Sequence, residues 1–376
     1  MAVLHSVDPV ALEITRRRVV RVLAFATQGA GGDDEFRLRD LFSELDLEIL
    51  PFNRQRKIAS AREILAKARS GQYDLLAMEG TGSAGGLALL LARWLYRVPY
   101  VVSSGDAVAP FLAMRFPVGW LIFFIYEWLL YQNSSGFVGW TPYLAGRALT
   151  LGAPKAMTAA GWALHSYDAN RLAESRTKLR LKLGIPQDAV VFGICGSLAW
   201  SKRRKYCYGQ ELVQAVLLSE SSDVRVLIVG DGSGLERLRT MAGAMLNKRI
   251  FLPGRVPHEQ VPDYLAAMDV GSLPQSVDRV GSFRYTTKLS EYFSVRLPII
   301  TNQIPAAYDL DYGGVWRLPG RSPWDPRFIR ALTERMNKID TQAIEQKRTA
   351  IPKYLPAFDR DRQIASVSDF VKEIVS

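Results

Sequence analysis

Residues 249–303 read RIFLPGRVPHEQVPDYLAAMDVGSLPQSVDRVGSFRYTTKLSEYFSVRLPIITNQ. Two short apolar strands, IFLPGRV and the PII of RLPII, flank a helix signal and a polar loop rich in Ser, Thr and Gly. The loop runs into a helix bearing one carboxylate, Glu291. An α/β domain builds a nucleotide site in this way, at the carboxyl ends of its strands.

The same rhythm extends in both directions. Downstream of residue 189 we read strands at 189–195, 224–229, 249–252 and 270–273, and helices at 209–218, 235–246 and 261–267. Upstream, strands fall at 18–27, 47–52, 73–78, 99–103, 136–140 and 157–160, with helices at 58–68, 87–96 and 143–149. Alternation at this pace argues for βαβ units and parallel sheets. A polar, largely helical connection at 165–183 separates the halves. The expected architecture is α/β, two doubly wound Rossmann-like domains facing each other across a cleft. The first spans residues 1–164 and the second 165–345. A helical tail, 346–376, packs back towards the first.

The 376 residues suit two domains. A net charge of +11 favours acidic partners: nucleotides, nucleic acid or anionic lipid. Nucleic acid is disfavoured, because no aromatic-basic motif accompanies the charge. Cys195 and Cys207 suit a reducing cytoplasm, and the scattered histidines show no metal-ligand spacing. The N-terminus lacks the apolar core of a secretory signal. Residues 116–131, FPVGWLIFFIYEWLLY, read as one helix apolar on nearly every face. It is too short to span a bilayer at 1.5 Å per residue, and Glu127 adds a charge. Two readings stay open, a core helix or one lying in a membrane interface flanked by Arg93, Arg97 and Arg115.

Three turns are candidate phosphate sites. Gln28-Gly29-Ala30-Gly31-Gly32 joins a strand to a helix N-terminus, but Asp33, Asp34 and Glu35 there would complement the dipole themselves and repel phosphate. A tight βα turn is the competing reading. Gly196-Ser197 follows a strand, with Lys202-Arg203-Arg204-Lys205 close behind. Free N–H groups and a lysine suit a diphosphate; for Arg203, Arg204 and Lys205 we expect a solvated loop. Gly230-Asp231-Gly232 is a third glycine turn. Glu291, near its helix start, could accept hydrogen bonds from ribose hydroxyls or simply complement the dipole.

Taken together, the second half resembles the retaining GT-B glycosyltransferases of the group 1, or family 4, class. The matching segments are Gly196-Ser197-Leu198 with Lys202, the run Val226 through Gly232, Ile250 through Val256, Asp269-Val270 with Leu273-Pro274, and Glu291 with Pro298-Ile299-Ile300. The first half matches only in its rhythm and in residues 99–106. The resemblance implies that Lys202 holds the donor diphosphate beside Gly196 and Ser197. It puts the base against Gly254, Arg255 and Val256, and the ribose on Glu291. Gly230, Ser282, Thr287 and Lys288 complete the expected donor site. Three positions depart from the family's pattern: Ser197 stands where an arginine is frequent, Phe283 where an acidic residue contacts the donor sugar, and Gly105 where a histidine is common. Asp278 or Ser282 is the expected substitute for the acidic residue. Asp106, beside Gly105, joins Lys202 and Asp278 as a catalytic candidate. Gly31, Glu79, Thr81 and Ser103 are the expected acceptor residues.

The expected activity is metal-independent transfer of a hexosyl group, with retention, from a UDP- or GDP-linked sugar. The acceptor would be lipid-linked or a polysaccharide of the cell surface, and the enzyme cytoplasmic, with peripheral contact to an anionic membrane. The nucleotide sugar is a substrate, and no cofactor is expected. The competing reading is a non-catalytic nucleotide-sugar-binding or scaffold protein of the same fold.

Overall fold

A computed structural model describes residues 19–163, 168–284 and 286–376. The first sheet contains β1 (Arg21–Ala26), β2 (Asp46–Ile49), β3 (Leu75–Glu79), β4 (Tyr100–Ser104), β5 (Gly136–Gly139) and β6 (Ala156–Thr158). All pair in parallel, in the order β2-β1-β3-β4-β5-β6. Its helices are α1 (Asp33–Leu41), α2 (Lys57–Arg69), α3 (Ser83–Tyr96), α4 (Val108–Ala113), α5 (Trp120–Gln132) and α6 (Pro142–Thr150). The connecting helix α7 (Ala169–Leu183) leads into the second sheet. That sheet contains β7 (Val190–Cys195), β8 (Val224–Val229), β9 (Ile250–Gly254), β10 (Val270–Leu273), β11 (Ile299–Asn302) and β12 (Val315–Leu318). Its order is β12-β11-β10-β7-β8-β9, again all parallel. The helices are α8 (Gln210–Leu218), α9 (Leu235–Ala242), α10 (Val261–Ala266), α11 (Thr287–Ser294), α12 (Ala306–Asp309), α13 (Pro326–Lys338) and α14 (Thr341–Ala350), with α15 (Arg360–Val375) at the end.

Each sheet is buried on both faces. Near-continuous apolar strands such as VVFGIC and VRVLIV therefore lie wholly inside. Strand order reverses between β1 and β3 in one sheet and between β10 and β7 in the other. These are the switch points where open α/β sheets leave a crevice. Asp269, in the D-V segment, is structural. Its carboxylate accepts from the fully buried Arg180 at 2.7 Å and from the Val191 N–H at 2.8 Å, which staples α7 to the sheet. The last helix, α15, packs on the first domain: Val367 and Val371 join Val22 and Ala24, while Gly136 leaves room for Phe370 and Ile374.

The expected single helix over 116–131 is divided. A 3-10 turn, Pro117–Gly119, precedes α5, and α4 before it had no clear signal in the sequence. Pro117 supplies the break, because proline fits the first turn of a helix but not its interior. The helix expected from residue 87 begins a turn earlier, at Ser83, and runs through Gly85 and Gly86. The strand expected to end at Leu252 continues to Gly254. It is an edge strand, where Pro253 removes no needed ladder bond, and a register shift at Leu227/Val229 brings Gly254 opposite Val229. The expected boundary at 164–165 lies outside the described residues, whereas the connection expected over 165–183 is helical over Ala169–Leu183.

Candidate active site

The loops after β7, β8 and β9 are laced by main-chain hydrogen bonds. Gly196 N–H donates to Val229 O at 2.9 Å, Leu198 N–H to Asp231 O at 2.9 Å, and Gly230 N–H to Gly254 O at 2.9 Å. The approach is so close that a Cβ on Gly230, at φ +144°, would lie 1.9 Å from Gly196 O. The Lys288 ammonium fills the space a Cβ on Gly196 would need, 2.9 Å from it, and lies 4.9 Å from the Tyr208 ring centroid. Glu291 is one turn further along α11. Burial raises its carboxyl above the ordinary value. Lys288 and His258 oppose that rise, and Asp33 from the first domain adds to it. Thus Gly196, Gly230, Gly254, Lys288 and Glu291 converge, joined by His258, which had no motif to mark it.

Ser197, Arg255 and Thr287 are exposed, and Val256 is half-buried against the core. Lys202 is exposed in a loop closed by a bridge between Ser201 and Tyr206. Its neighbours depart from the expected solvated loop. Arg203 donates to the Met114 carbonyl of the first domain, and Arg204 lies 5.2 Å from the Trp324 ring centroid with a nitrogen 2.8 Å from Met114 Sδ. Lys205 is exposed.

Across the cleft, the β1/β3 switch point opens into a cavity of ≈ 210 Å³. Its lining includes Asp34, Glu79, Thr81, Asp106, Trp140 and Arg284. Glu79, at the end of β3, is 1% exposed. Trp140 Nε1 donates to its carboxylate at 3.1 Å, and Arg37 pairs with it at 3.7 Å. Burial outweighs the arginine and pushes the Glu79 carboxyl up to about 7. Asp34 is raised to about 6, by burial first and then by Asp33 and Asp106. No side chain caps the N-terminus of α1, and of its acidic run Asp34 lines the cavity. Ser103 is buried beneath the cavity, and exposed Gly31 donates its N–H to Glu35 at 3.4 Å.

The loop at 278–284 joins the two sides. Asp278 is exposed, yet its Oδ1 accepts the Val280 and Gly281 N–H groups, each at 2.9 Å, so it shapes its own loop. Burial would raise its carboxyl, but these two donors hold it below the usual range. Ser282 is half-buried in the same loop. Phe283 packs into the first domain's core, its carbonyl accepts from Thr141 Oγ1 at 2.9 Å, and Arg147 lies 5.7 Å from its ring centroid. Arg284 forms a fork with Asp106 at 2.7 and 3.0 Å. Asp106 therefore carries an ion pair across the cleft. Two of the departures from the family's pattern, Phe283 and Gly105, also acquire physical roles. Phe283 is a plug between domains, and a Cβ on Gly105 would meet the Trp140 ring at 2.8 Å. Arg284 and Trp140 carried no local signal, because their partners are far away in sequence. Among the described residues no His, Cys, Asp and Glu group of three or more is placed to hold a metal.

Two doubly wound parallel-sheet domains, with a crevice at each switch point facing the other, define the GT-B class. Residues 189–318, within the second domain, match the model of the family described as glycosyl transferases group 1. Among curated relatives, the putative teichuronic acid biosynthesis glycosyltransferase TuaC of Bacillus subtilis is 28% identical over 174 residues, 46% of this chain and 38% of that protein. The matched stretch thus spans well under half of that relative. Among solved structures, Anabaena Alr3699/HepE in complex with UDP and glucose superposes with a TM-score of 0.66 at 17% identity, over 94% of this chain and 100% of that one. Sucrose-phosphate synthase from Thermosynechococcus elongatus does so with a TM-score of 0.67 at 13% identity, over 94% and 99%.

Proposed function

We propose that the protein is a glycosyltransferase that moves a hexosyl group, with retention, from a UDP- or GDP-linked sugar to a lipid-linked or polysaccharide acceptor. The observation that carries this reading is the convergence of Lys288, Glu291 and the Gly196/Gly230 turns at the mouth of the β7/β10 switch point, inside the segment matched to the group 1 family. The glycine turns carry no side chain that would hold a diphosphate away from the main chain. Lys202 and Lys288 supply the positive charge that a diphosphate leaving group needs. Glu291 suits a ribose, Gly254, Arg255 and Val256 a base, and the Glu79 cavity an acceptor hydroxyl. The likeness to TuaC, named for teichuronic acid biosynthesis, favours a cell-surface glycan. The test is turnover of UDP- and GDP-sugars by wild type and by Lys202→Ala. We expect a loss of about 100-fold or more in kcat/KM, the scale for removing one leaving-group stabiliser. Equal activity in both removes Lys202 from the mechanism.

One arrangement favours the non-catalytic reading: Phe283 is committed to the domain contact and Trp140 occupies the space beside Gly105. Binding of UDP or GDP by calorimetry, with no hydrolysis and no transfer to any glycan or lipid extract, would establish that reading instead.

A further inference from the structure

We propose that α3 and α5 together form a docking face for a lipid bilayer bearing anionic headgroups. The two helices are locked side by side. A Cβ on Gly86 would lie 1.9 Å from the Tyr126 hydroxyl, so α5 sits directly on the glycine step of α3. With their inner faces in the core, they turn a shared apolar surface outward. On α3 it is Leu87, Leu91, Trp94 and Leu95, spaced along one side of the helix, with Leu95 63% exposed. On α5 it is Leu121, Ile122 and Ile125, with Ile122 70% exposed. Exposed apolar side chains this numerous on two packed helices are uncommon on a protein that meets only water.

Charge selects the occupant. Between residues 83 and 132 the acidic side chains are Asp106 and Glu127. Asp106 is paired with Arg284, and Glu127, fully buried, accepts two bonds from Arg147, at 2.9 and 2.5 Å. Neither offsets the exposed Arg93, Arg97 and Arg115 beside the apolar face. From the second domain, Arg279 lies 5.0 Å from the Trp120 ring centroid at the start of α5. Apolar residues with a basic rim match a bilayer interface with anionic headgroups, whereas a second copy would set like charges against each other. The face lies on the membrane rather than across it: α5 has 13 residues, and no described helix is long and apolar enough to cross a membrane. This inference stands apart from the transfer reaction, and either can fail alone.

The test is flotation of the full chain with phosphatidylcholine vesicles, with and without phosphatidylglycerol. We expect flotation only with the anionic vesicles. Leu121→Glu with Ile122→Glu should lower the bound fraction about tenfold or more, and so should Arg93→Glu with Arg97→Glu, given the worth of each basic residue at an anionic surface. Both pairs should keep the wild-type thermal midpoint, which shows that they fold. No flotation, equal flotation on both vesicle types, or flotation undiminished by folded variants overturns the proposal. So does a dimer, seen by light scattering, that the Leu121→Glu pair dissolves, which would assign the face to a second copy.

Discussion

Gly230 shows how a single residue can be required by backbone approach alone. Its φ of +144° and its contact with Gly196 O leave no room for a methyl group. Gly230→Ala should destabilise the second domain by about 2–4 kcal/mol, the range for a strained, overpacked site. The measurement is a chemical denaturation midpoint, with nucleotide affinity falling in parallel; an unchanged midpoint would mean the two turns can separate freely. At this scale the sequence was informative where a residue acts through its own turn, as at Gly196, Gly230 and Gly254. It was silent where the partner is remote. Trp140 reaches Glu79 across 61 positions and Arg284 reaches Asp106 across 178, so neither pair has a local pattern.

At the scale of elements, the loop at 278–284 is the mechanical link between domains. A polar loop at a strand's carboxyl end reads as ligand-binding, and that reading places Ser282 and Asp278 at a substrate. In the fold, Asp278 organises the loop, Phe283 enters the first domain and Arg284 meets Asp106. Phe283→Ala should weaken the domain contact by roughly 1–3 kcal/mol, the worth of a buried aromatic side chain. The expected signs are faster proteolytic cleavage of the loop and a larger radius of gyration in solution scattering, with each domain's far-UV dichroism unchanged. If scattering and cleavage match wild type, the plug does not hold the domains together. The α3–α5 pair makes the complementary point: α5 is apolar on nearly every face in sequence, and the structure divides it into Leu130 and Tyr131 inward and Leu121 and Ile122 outward.

At the scale of the whole molecule, buried carboxyls set the response to pH. Glu79 is pushed up to about 7, and Glu211 in the second domain to about 6, both chiefly by burial. Asp34 rises to about 6 for the same leading reason. A carboxyl whose folded value exceeds its unfolded one holds its proton longer in the folded state, so its contribution is greatest below the unfolded value and is lost as pH rises through the folded one. Thermal stability should therefore fall between about pH 4.5 and pH 7, with the steepest loss near 5 to 6, where all three carboxyls hold a proton mainly in the folded state. Glu79→Gln should flatten that slope, because a neutral amide keeps the Trp140 hydrogen bond without a buried charge. Scanning calorimetry across this range checks both; a midpoint that rises towards pH 7 would contradict the burial argument.

The order of residues is enough to read the α/β class, two parallel doubly wound halves and the glycine turns of the second-domain site. Strand periodicity and turn chemistry are local, and so are the group 1 motifs at residues 196–300. Tertiary structure alone decided the rest. It set Lys288 over Gly196, brought Asp33 towards Glu291 from the other domain, spent Phe283 on a domain contact, and joined α3 to α5 as one exposed apolar face. Each depends on which distant surfaces are brought within a few ångströms and how deeply they are buried, and neither spacing nor composition records that.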